Sequence, residues 1–176
     1  MATLLYILLA VVALVVFLAL IAPKTYDVSR SIEIESPKNE VFDYLKYLKN
    51  MDEWSPWAQK DPNMKKKFTG TDGEVGAISY WNGNKDVGEG EQEITKIVNG
   101  DRIESELRFL KPWKSTSDCY TKVENSGVSA TKVTWGFTGK NKFPMNIMAL
   151  FMSMDKMVGK DFEEGLATLK ATLEKK

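Results

Sequence analysis

The sequence contains no histidine and a single cysteine, Cys119, among its 176 residues. The absence of histidine removes the commonest general base and metal ligand, and with it Ser-His, Cys-His and HExxH chemistries. One cysteine cannot form an intrachain disulfide, and structural zinc and iron–sulfur sites usually require several cysteines or histidines. The sequence therefore predicts no metal site, no cofactor and no catalytic residue, and we expect Cys119 to be a small buried side chain.

Neither sign of charge is in excess, since 24 basic residues balance 24 acidic ones. A dedicated nucleic-acid binder usually shows a strong basic excess, so we expect no nucleic-acid partner. The lysine run at 65–67 could touch anionic lipid headgroups, but the solvated start of a strand is the commoner explanation of such a run. The chain length is typical of one domain, and nothing in the sequence predicts its oligomeric state.

The first 22 residues contain no charged side chain and read MATLLYILLAVVALVVFLALIA. As a helix they would be about 33 Å long, enough for the hydrocarbon core of a bilayer. We predict that residues 1–23 form an uncleaved membrane anchor. A cleaved signal peptide is the alternative, but no Lys or Arg precedes the run, and Leu20 is bulky where a cleavage site needs a small residue. Because Lys24, Arg30 and Lys38 follow the span, the positive-inside rule favours a cytoplasmic position for residues 26–176.

The rest of the chain shows strand patterns followed by one long helical pattern. In residues 26–36, Val28, Ile32 and Ile34 share one face of an alternating strand, and a short helix follows to about residue 49. Six further strand-like runs are separated mostly by turn residues: 64–70, 76–82, 87–98, 102–110, 115–124 and 130–139.

From Pro144 onward the apolar residues recur every three or four positions, which predicts an amphipathic helix of nearly 30 residues. Gly159 and Gly165 interrupt this pattern and would allow close packing or a bend. Strands followed by one long helix predict an α+β fold, with an antiparallel sheet covered on one face.

Six segments carry a resemblance to a known family: SRSIEIESPKNEVFDYL (29–45), WSPWAQKDPNM (54–64), GEVGAISYW (73–81), GEGEQEIT (88–95), TKVTWGF (131–137) and MDKMVGKDFEEGLATLK (154–170). The sequence resembles the START-like (SRPBCC) superfamily with its helix-grip fold, and most closely the polyketide cyclase/dehydrase and lipid-transport group. The resemblance covers about residues 26–174. It implies a curved antiparallel sheet of about seven strands, with short helices after the first strand and a long C-terminal helix across the sheet. An anchor before YDVSRSI further implies a bacterial inner-membrane protein.

The resemblance also implies a hydrophobic cavity between the sheet and the C-terminal helix, without fixed catalytic residues. Aromatic side chains are numerous for this length, and five of the eight methionines fall between residues 145 and 157. Such side chains suit the wall of an apolar pocket, although a filled core with methionine as gap-filler is the alternative. The residues that we predict to contact a ligand are Trp54, Trp57, Tyr80, Trp81, Phe109, Ser117, Trp135, Phe137, Met148, Phe151 and Met152.

Two of these residues lie in the stretch DEWSPWAQKDPNM (52–64), where Pro56 and Pro62 shape a corner between the short helices and the second strand. Positions three apart in a helical turn share a side, so we expect Trp54 and Trp57 to act together. They form either a plug that seals one end of the fold or part of the cavity rim.

Several carboxylates share strand faces: Glu89, Glu91 and Glu93 on one strand, and Glu104 and Glu106 on the next. Inside a cavity such a set could perform acid/base chemistry. Because Ile103, Leu107 and Phe109 occupy the opposite face, we predict a solvated sheet face, with pairing to Lys96 or Arg108.

Three functions follow from the family resemblance. The first is a membrane-anchored domain that binds a hydrophobic small molecule or lipid without covalent chemistry. The second is a cyclase/dehydrase-type enzyme, which requires a titratable group inside the cavity. The third is a protein-interaction module of the chaperone-activator type, which would expose a large apolar patch on the outer sheet face.

Overall fold

A computed structural model describes residues 2–175, except for the side chain of Met145. Met1, the first residue of the predicted anchor, and Lys176, the last residue of the predicted domain, lie outside the described residues. The same holds for any contribution of the Met145 side chain to the predicted methionine wall.

The N-terminal apolar run forms one helix, α1, from Ala2 to Ile21. None of its residues is buried against the rest of the chain. This helix of 20 residues is long and apolar enough to cross a bilayer. These are the properties of either a membrane anchor or a signal sequence.

The predicted sheet is confirmed as seven antiparallel strands in the order β1-β7-β6-β5-β4-β3-β2. Strands that follow one another along the chain are neighbours except for β1, which pairs with β7 and so places the two ends of the domain together. The strands are β1 Thr25–Ile34, β2 Lys65–Thr69, β3 Ile78–Asn82, β4 Glu89–Val98, β5 Arg102–Lys111, β6 Ser115–Asn125 and β7 Thr131–Lys140.

Short helices follow β1, and a long helix covers the β1–β7 side of the sheet, so the α+β helix-grip architecture is confirmed. The short helices are α2 Lys38–Leu45, a 3₁₀ turn Leu48–Asn50, α3 Met51–Trp54 and α4 Pro56–Lys60. The long helix, α5, extends from Met154 to Leu173.

Two glycines let α5 approach its neighbours closely, as the sequence predicts. A Cβ atom at Gly159 would lie 2.3 Å from Nη2 of Arg30, and a Cβ atom at Gly165 would lie 2.8 Å from the Trp135 ring. Beside Gly159, Arg30 pairs with Asp155 and Glu163 at 2.7 Å each, and these ion pairs join β1 to the first turns of α5.

The predicted start of the C-terminal helix at Pro144 is wrong. Residues Met145–Leu150 form a separate 3₁₀ helix, and Ser153 is extended immediately before α5. Met148 and Phe151 match the helical period but are exposed, so no core face holds this segment in line with α5. Instead, the Asn146 side chain donates a hydrogen bond to the backbone oxygen of Ala19 in α1.

The two faces of the sheet differ as the alternation predicts. The inner face of β5 carries Ile103, Ser105, Leu107 and Phe109, and it contributes to the main apolar core beneath α5 and the short helices. The outer face carries the carboxylates, of which Glu91, Glu93 and Glu106 each pair with Arg108 at 2.6–2.7 Å. The predicted solvated face is therefore confirmed, with Arg108 rather than Lys96 at its centre.

Candidate ligand cavity

An apolar cavity of about 220 Å³ lies between the inner sheet face and the helices. Strands β2 to β7 supply one wall, while α3, α4 and the first half of α5 supply the other. The lining residues are Leu48, Met51, Asp52, Ser55, Trp57, Ala58, Met64, Lys66, Ser79, Trp81, Val87, Gln92, Leu107, Phe109, Cys119, Trp135, Phe137, Val158 and Phe162.

Stacked aromatic rings line the cavity where β7 meets α4 and α5. Trp135 from β7 stacks on Phe162 from α5, with centroids 4.2 Å apart and planes within 7°. Trp57 from α4 meets both rings edge-on, at 5.6 Å and 6.0 Å. Edge-to-face and stacked contacts stabilise such rings beyond their buried area. This wall is therefore held in place before any ligand arrives.

The sheet side contributes a second aromatic pair. Trp81 on β3 meets Phe109 on β5 edge-on, with centroids 6.2 Å apart, so the two rings span the intervening strand β4. Gly90 on β4 leaves the necessary room, since a Cβ atom there would lie 2.6 Å from the Trp81 ring. A larger residue at position 90 would push the Trp81 ring off the sheet.

One end of the cavity is polar. Asp52 from α3 and Lys66 from β2 form an ion pair there, and their side chains are 40% and 23% exposed. Ser79 and Gln92 lie on the neighbouring strands of the same wall. Because this charged pair meets solvent while the remaining lining is mainly apolar, we identify it as the mouth of the cavity.

Cys119 lies on the inner face of β6 and lines the cavity. Burial raises the pKa of its thiol to about 12, so the thiol is neutral at physiological pH. A neutral buried thiol is a poor nucleophile, and the prediction of a small buried residue is confirmed. Among residues 2–175, no cluster of three or more metal-ligating side chains is present.

Five of the predicted ligand contacts line the cavity: Trp57, Trp81, Phe109, Trp135 and Phe137. Their role as ligand contacts stays a prediction, but the structure brings them together on facing walls. The other six predicted residues lie elsewhere.

Trp54 and Trp57 do not act as the expected pair. Ser55 has an extended backbone and separates α3 from α4, so the rule for positions three apart in one helix does not apply. Trp54 is 1% exposed and packs edge-on against Trp135, as a plug in the core. Trp57 instead faces the cavity.

Two polar candidates, Tyr80 and Ser117, lie outside the lining. Tyr80 is on the outer sheet face, where its hydroxyl donates a hydrogen bond to Glu89 at 2.7 Å. Ser117 is on the inner face but is buried against Tyr26, with its hydroxyl 2.8 Å from the tyrosine oxygen. Neither is placed to orient a ligand in this cavity.

Met148, Phe151 and Met152 are exposed on the segment before α5 and do not reach the cavity. Their prediction as ligand contacts depends on a helix that begins at Pro144. Since α5 begins ten residues later, these side chains belong to a surface beside α1.

The predicted ligand contacts do not include the residues at the polar end of the cavity or some of those in its apolar wall. The sequence assigns no role to Asp52 and places Lys66 in a solvated run, because nothing local indicates that α3 and β2 meet. Leu107 and Phe162 carried a signal, since each shares a face with residues already predicted to be buried.

One family model, described as polyketide cyclase/dehydrase and lipid transport, matches residues 25–174. A sequence search of curated proteins gives no match. Truncated norcoclaurine synthase from Thalictrum flavum superposes with a TM-score of 0.63 at 11% identity, over 88% of this chain and 97% of that one.

Two further solved structures share the fold. Major latex-like protein 151 from Panax ginseng has a TM-score of 0.60 at 13% identity, over 86% of this chain and 99% of its own. The Aha1 dimer from Colwellia psychrerythraea has a TM-score of 0.56 at 17% identity, over 85% and 96%. The family model extends from the first strand to the end of α5, and the protein therefore belongs to the polyketide cyclase/dehydrase and lipid transport family.

Proposed function

We propose that this protein is a membrane-anchored domain that binds a hydrophobic small molecule or lipid without covalent chemistry. In this proposal residues 1–23 are the anchor and residues 26–176 form the binding domain. The observation that carries it is the aromatic cavity between sheet and helices, which the packed core leaves open. Well-packed interiors contain few voids larger than a water molecule, so a cavity of this size supports a binding role.

The size and chemistry of the cavity limit the class of ligand that we propose. Its volume of about 220 Å³ is below the range of about 300–1,000 Å³ for ordinary ligand pockets. A compact ligand, or one chain segment of a lipid, therefore suits it. Burial against Trp57, Trp81 and Phe109 supplies affinity at about 25 cal/mol per Å² of apolar surface. The Asp52–Lys66 pair at the mouth would contact a polar head.

The ligand proposal is tested with the full chain in lipid nanodiscs. Decanoic acid and farnesol serve as probes, and native mass spectrometry of protein from its own host searches for the natural ligand. A ligand at a concentration of about 100 times its Kd raises the free energy of unfolding by about 2.7 kcal/mol, which raises the melting temperature by about 5–10 °C. No gain with any probe and an empty cavity in the native protein would contradict the proposal.

A matched pair of variants assigns any gain to the cavity. Ala58 lines the cavity, whereas Gln59, the next residue of α4, is exposed. Ala58→Phe fills the cavity and abolishes the ligand-induced gain, while Gln59→Phe adds the same ring outside it and leaves the gain intact. Equal gains in both variants would place the ligand elsewhere.

A cyclase/dehydrase-type enzyme is the second candidate, because titratable groups do line the cavity. In their ion pair, the Asp52 carboxylate is the base and the Lys66 ammonium is the acid available at its mouth. Host lipid extract is incubated with the wild-type protein and with Asp52→Asn, and products are compared by mass spectrometry. A product formed by the wild type alone supports the enzyme, while unchanged extract with retained binding supports the carrier.

The structure disfavours an interaction module that uses the outer sheet face. This face carries ion pairs centred on Arg108, and Arg102 stacks on Tyr120 with its guanidinium 3.8 Å from the ring centroid. A charged face of this kind lacks the large apolar patch that such a module requires.

A further inference from the structure

At one end of the strands, which we call an edge of the sheet, there is an exposed apolar surface that does not line the ligand cavity. β1 begins directly after α1, and Thr25 pairs with Lys140 at the end of β7. Ser117 pairs with Gly139, so the hairpin between β5 and β6 turns at the same edge. We define the anchor-side edge by the three segments that meet there: residues 22–26, 111–115 and 140–153.

Five large apolar side chains are exposed on this edge. Phe151 is 79% exposed, Phe143 66% and Trp113 63%, and Met148 and Met152 are both nearly half exposed. Aromatic residues of this kind concentrate at membrane–water interfaces, where an apolar ring with a polar border is favoured. Contiguous exposed apolar side chains on a soluble surface would instead mark an interaction site.

Hydrogen bonds hold this surface against the end of α1. The buried amide of Asn146 donates to the backbone oxygen of Ala19 at 2.9 Å, and Asn141 donates to that of Pro23 at 3.1 Å. The segment 140–153 therefore lies beside the last turn of α1. In an anchored protein, that turn is where the chain leaves the bilayer.

Charge differs between the two edges of the sheet, although the β3–β4 turn at the anchor-side edge contains Asp86 beside Lys85. The loops that connect strands at the opposite edge contain Asp72, Glu74 and Asp101 but no Lys or Arg, and Lys49 lies beside Asp72. The anchor-side segments contain no Asp or Glu, and one of their lysines, Lys111, pairs with Glu89 of β4. Basic residues next to an anchor are attracted to anionic lipid headgroups. The lysines of the anchor-side edge are Lys24, Lys111, Lys114, Lys140 and Lys142.

We infer that the anchor-side edge docks on the anionic surface of the bilayer that α1 spans, with Trp113, Phe143 and Phe151 inserted at headgroup level. This inference rests on the proposed anchor and adds a fixed orientation of the domain. Trp81 and Phe109 lie within two residues of the strand ends at this edge, so docking holds one wall of the cavity close to the lipid. A hydrophobic ligand then crosses little water between bilayer and cavity.

Site-specific quenching tests the orientation. The full chain carrying Trp113→Cys or Phe151→Cys is labelled with an environment-sensitive fluorophore and reconstituted into vesicles of phosphatidylcholine and phosphatidylglycerol. Val128→Cys is the control, because Val128 is fully exposed in the turn between β6 and β7 at the opposite edge. The wild type, whose Cys119 is buried, reports background labelling. Interfacial side chains bury about 5–10 Å into the headgroup region, so headgroup nitroxide lipids quench both test sites at least about twofold more than position 128.

The outcomes separate this inference from the proposed anchor. Retention in the membrane after an alkaline wash, with equal quenching at all three sites, overturns docking and leaves the anchor standing. Quenching at 151 alone also overturns docking, because position 151 is tethered beside α1 and only position 113 reports the far side of the edge. Release by the alkaline wash refutes the anchor and, with it, docking.

Discussion

Gly159 and Gly165 lie in the same helix but differ in what would oppose a side chain. At Gly165 a Cβ atom would meet the Trp135 ring and Pro56, and Trp135 is packed between Trp54 and Phe162. At Gly159 it would meet the end of Arg30, a flexible side chain at the surface. Helix propensity favours alanine at both positions by about 1 kcal/mol, so the difference between the two sites is one of packing.

We predict that Gly165→Ala lowers the free energy of unfolding by about 1–2 kcal/mol, because overpacking of a core costs about 1–3 kcal/mol and propensity offsets part of it. Gly159→Ala changes it by less than about 0.5 kcal/mol, in either direction, since Arg30 can move aside. Urea unfolding followed by tryptophan fluorescence measures both. A larger loss for Gly159→Ala would show that the Arg30 ion pairs, rather than the Trp135 contact, control how α5 docks.

The buried thiol of Cys119 predicts a dependence on alkaline pH. Its pKa is raised from 9.0 to about 12 by burial, so the folded state favours the protonated form. Stability that is fully present below pH 9 is therefore lost as the pH rises towards 12. Cys119→Ala removes this part of the decline between pH 9 and 11 in chemical denaturation. An unchanged pH profile in the variant would contradict the shift.

At the residue scale, the sequence could identify which side chains are apolar and which strand face they occupy. Leu107, Phe109, Trp135 and Phe137 follow from alternation alone. The position of Asp52 at the cavity mouth could not be predicted. Its contact with β2 depends on the path of the chain through the corner between the short helices and β2.

At the scale of elements, the break at Ser55 decides the roles of the two tryptophans. It ends α3 at Trp54, which is buried, and begins α4, which presents Trp57 to the cavity. The same kind of break at Ser153 separates α5 from the 3₁₀ helix before it. The break at Ser55 has a local cause, because Pro56 disfavours helical backbone at the residue before it. A periodic pattern alone does not reveal the break at Ser153, where no proline follows.

We predict that Trp54→Ala mainly lowers stability, whereas Trp57→Ala mainly weakens ligand binding. Removal of the buried Trp54 ring lowers the free energy of unfolding by about 3–5 kcal/mol. Removal of the half-buried Trp57 ring costs less, about 1–2 kcal/mol, but weakens ligand binding by about tenfold or more. Chemical denaturation and ligand titration of each variant provide the comparison. Equal losses of stability would mean that both rings belong to the core and that Trp57 is not a cavity wall.

At the scale of the whole molecule, the order of strands and helices was enough to predict an α+β fold with one covered antiparallel sheet, whereas the helix-grip fold was predicted from the family resemblance. Antiparallel neighbours follow from short turns between alternating runs, and a single long amphipathic helix has one sheet face to cover. The size of the cavity could not be predicted, because it is the small difference between the volume enclosed by sheet and helices and the volume of the side chains that fill it. The placement of Met148, Phe151 and Met152 depended on a helix boundary that the sequence pattern did not define.

The basic residues that follow α1, Lys24, Arg30 and Lys38, predict the topology of the chain when it is expressed in a bacterial host. Lysines next to the end of α1 are retained on the cytoplasmic side by the positive-inside rule. Protease added to intact spheroplasts is therefore expected to leave residues 26–176 uncut, whereas lysis makes them accessible. A periplasmic marker that is cut and a cytosolic marker that is spared serve as controls. Cleavage of the domain in intact spheroplasts, with the cytosolic marker still protected, would place the cavity on the outer side of the membrane and reverse the source of its ligand.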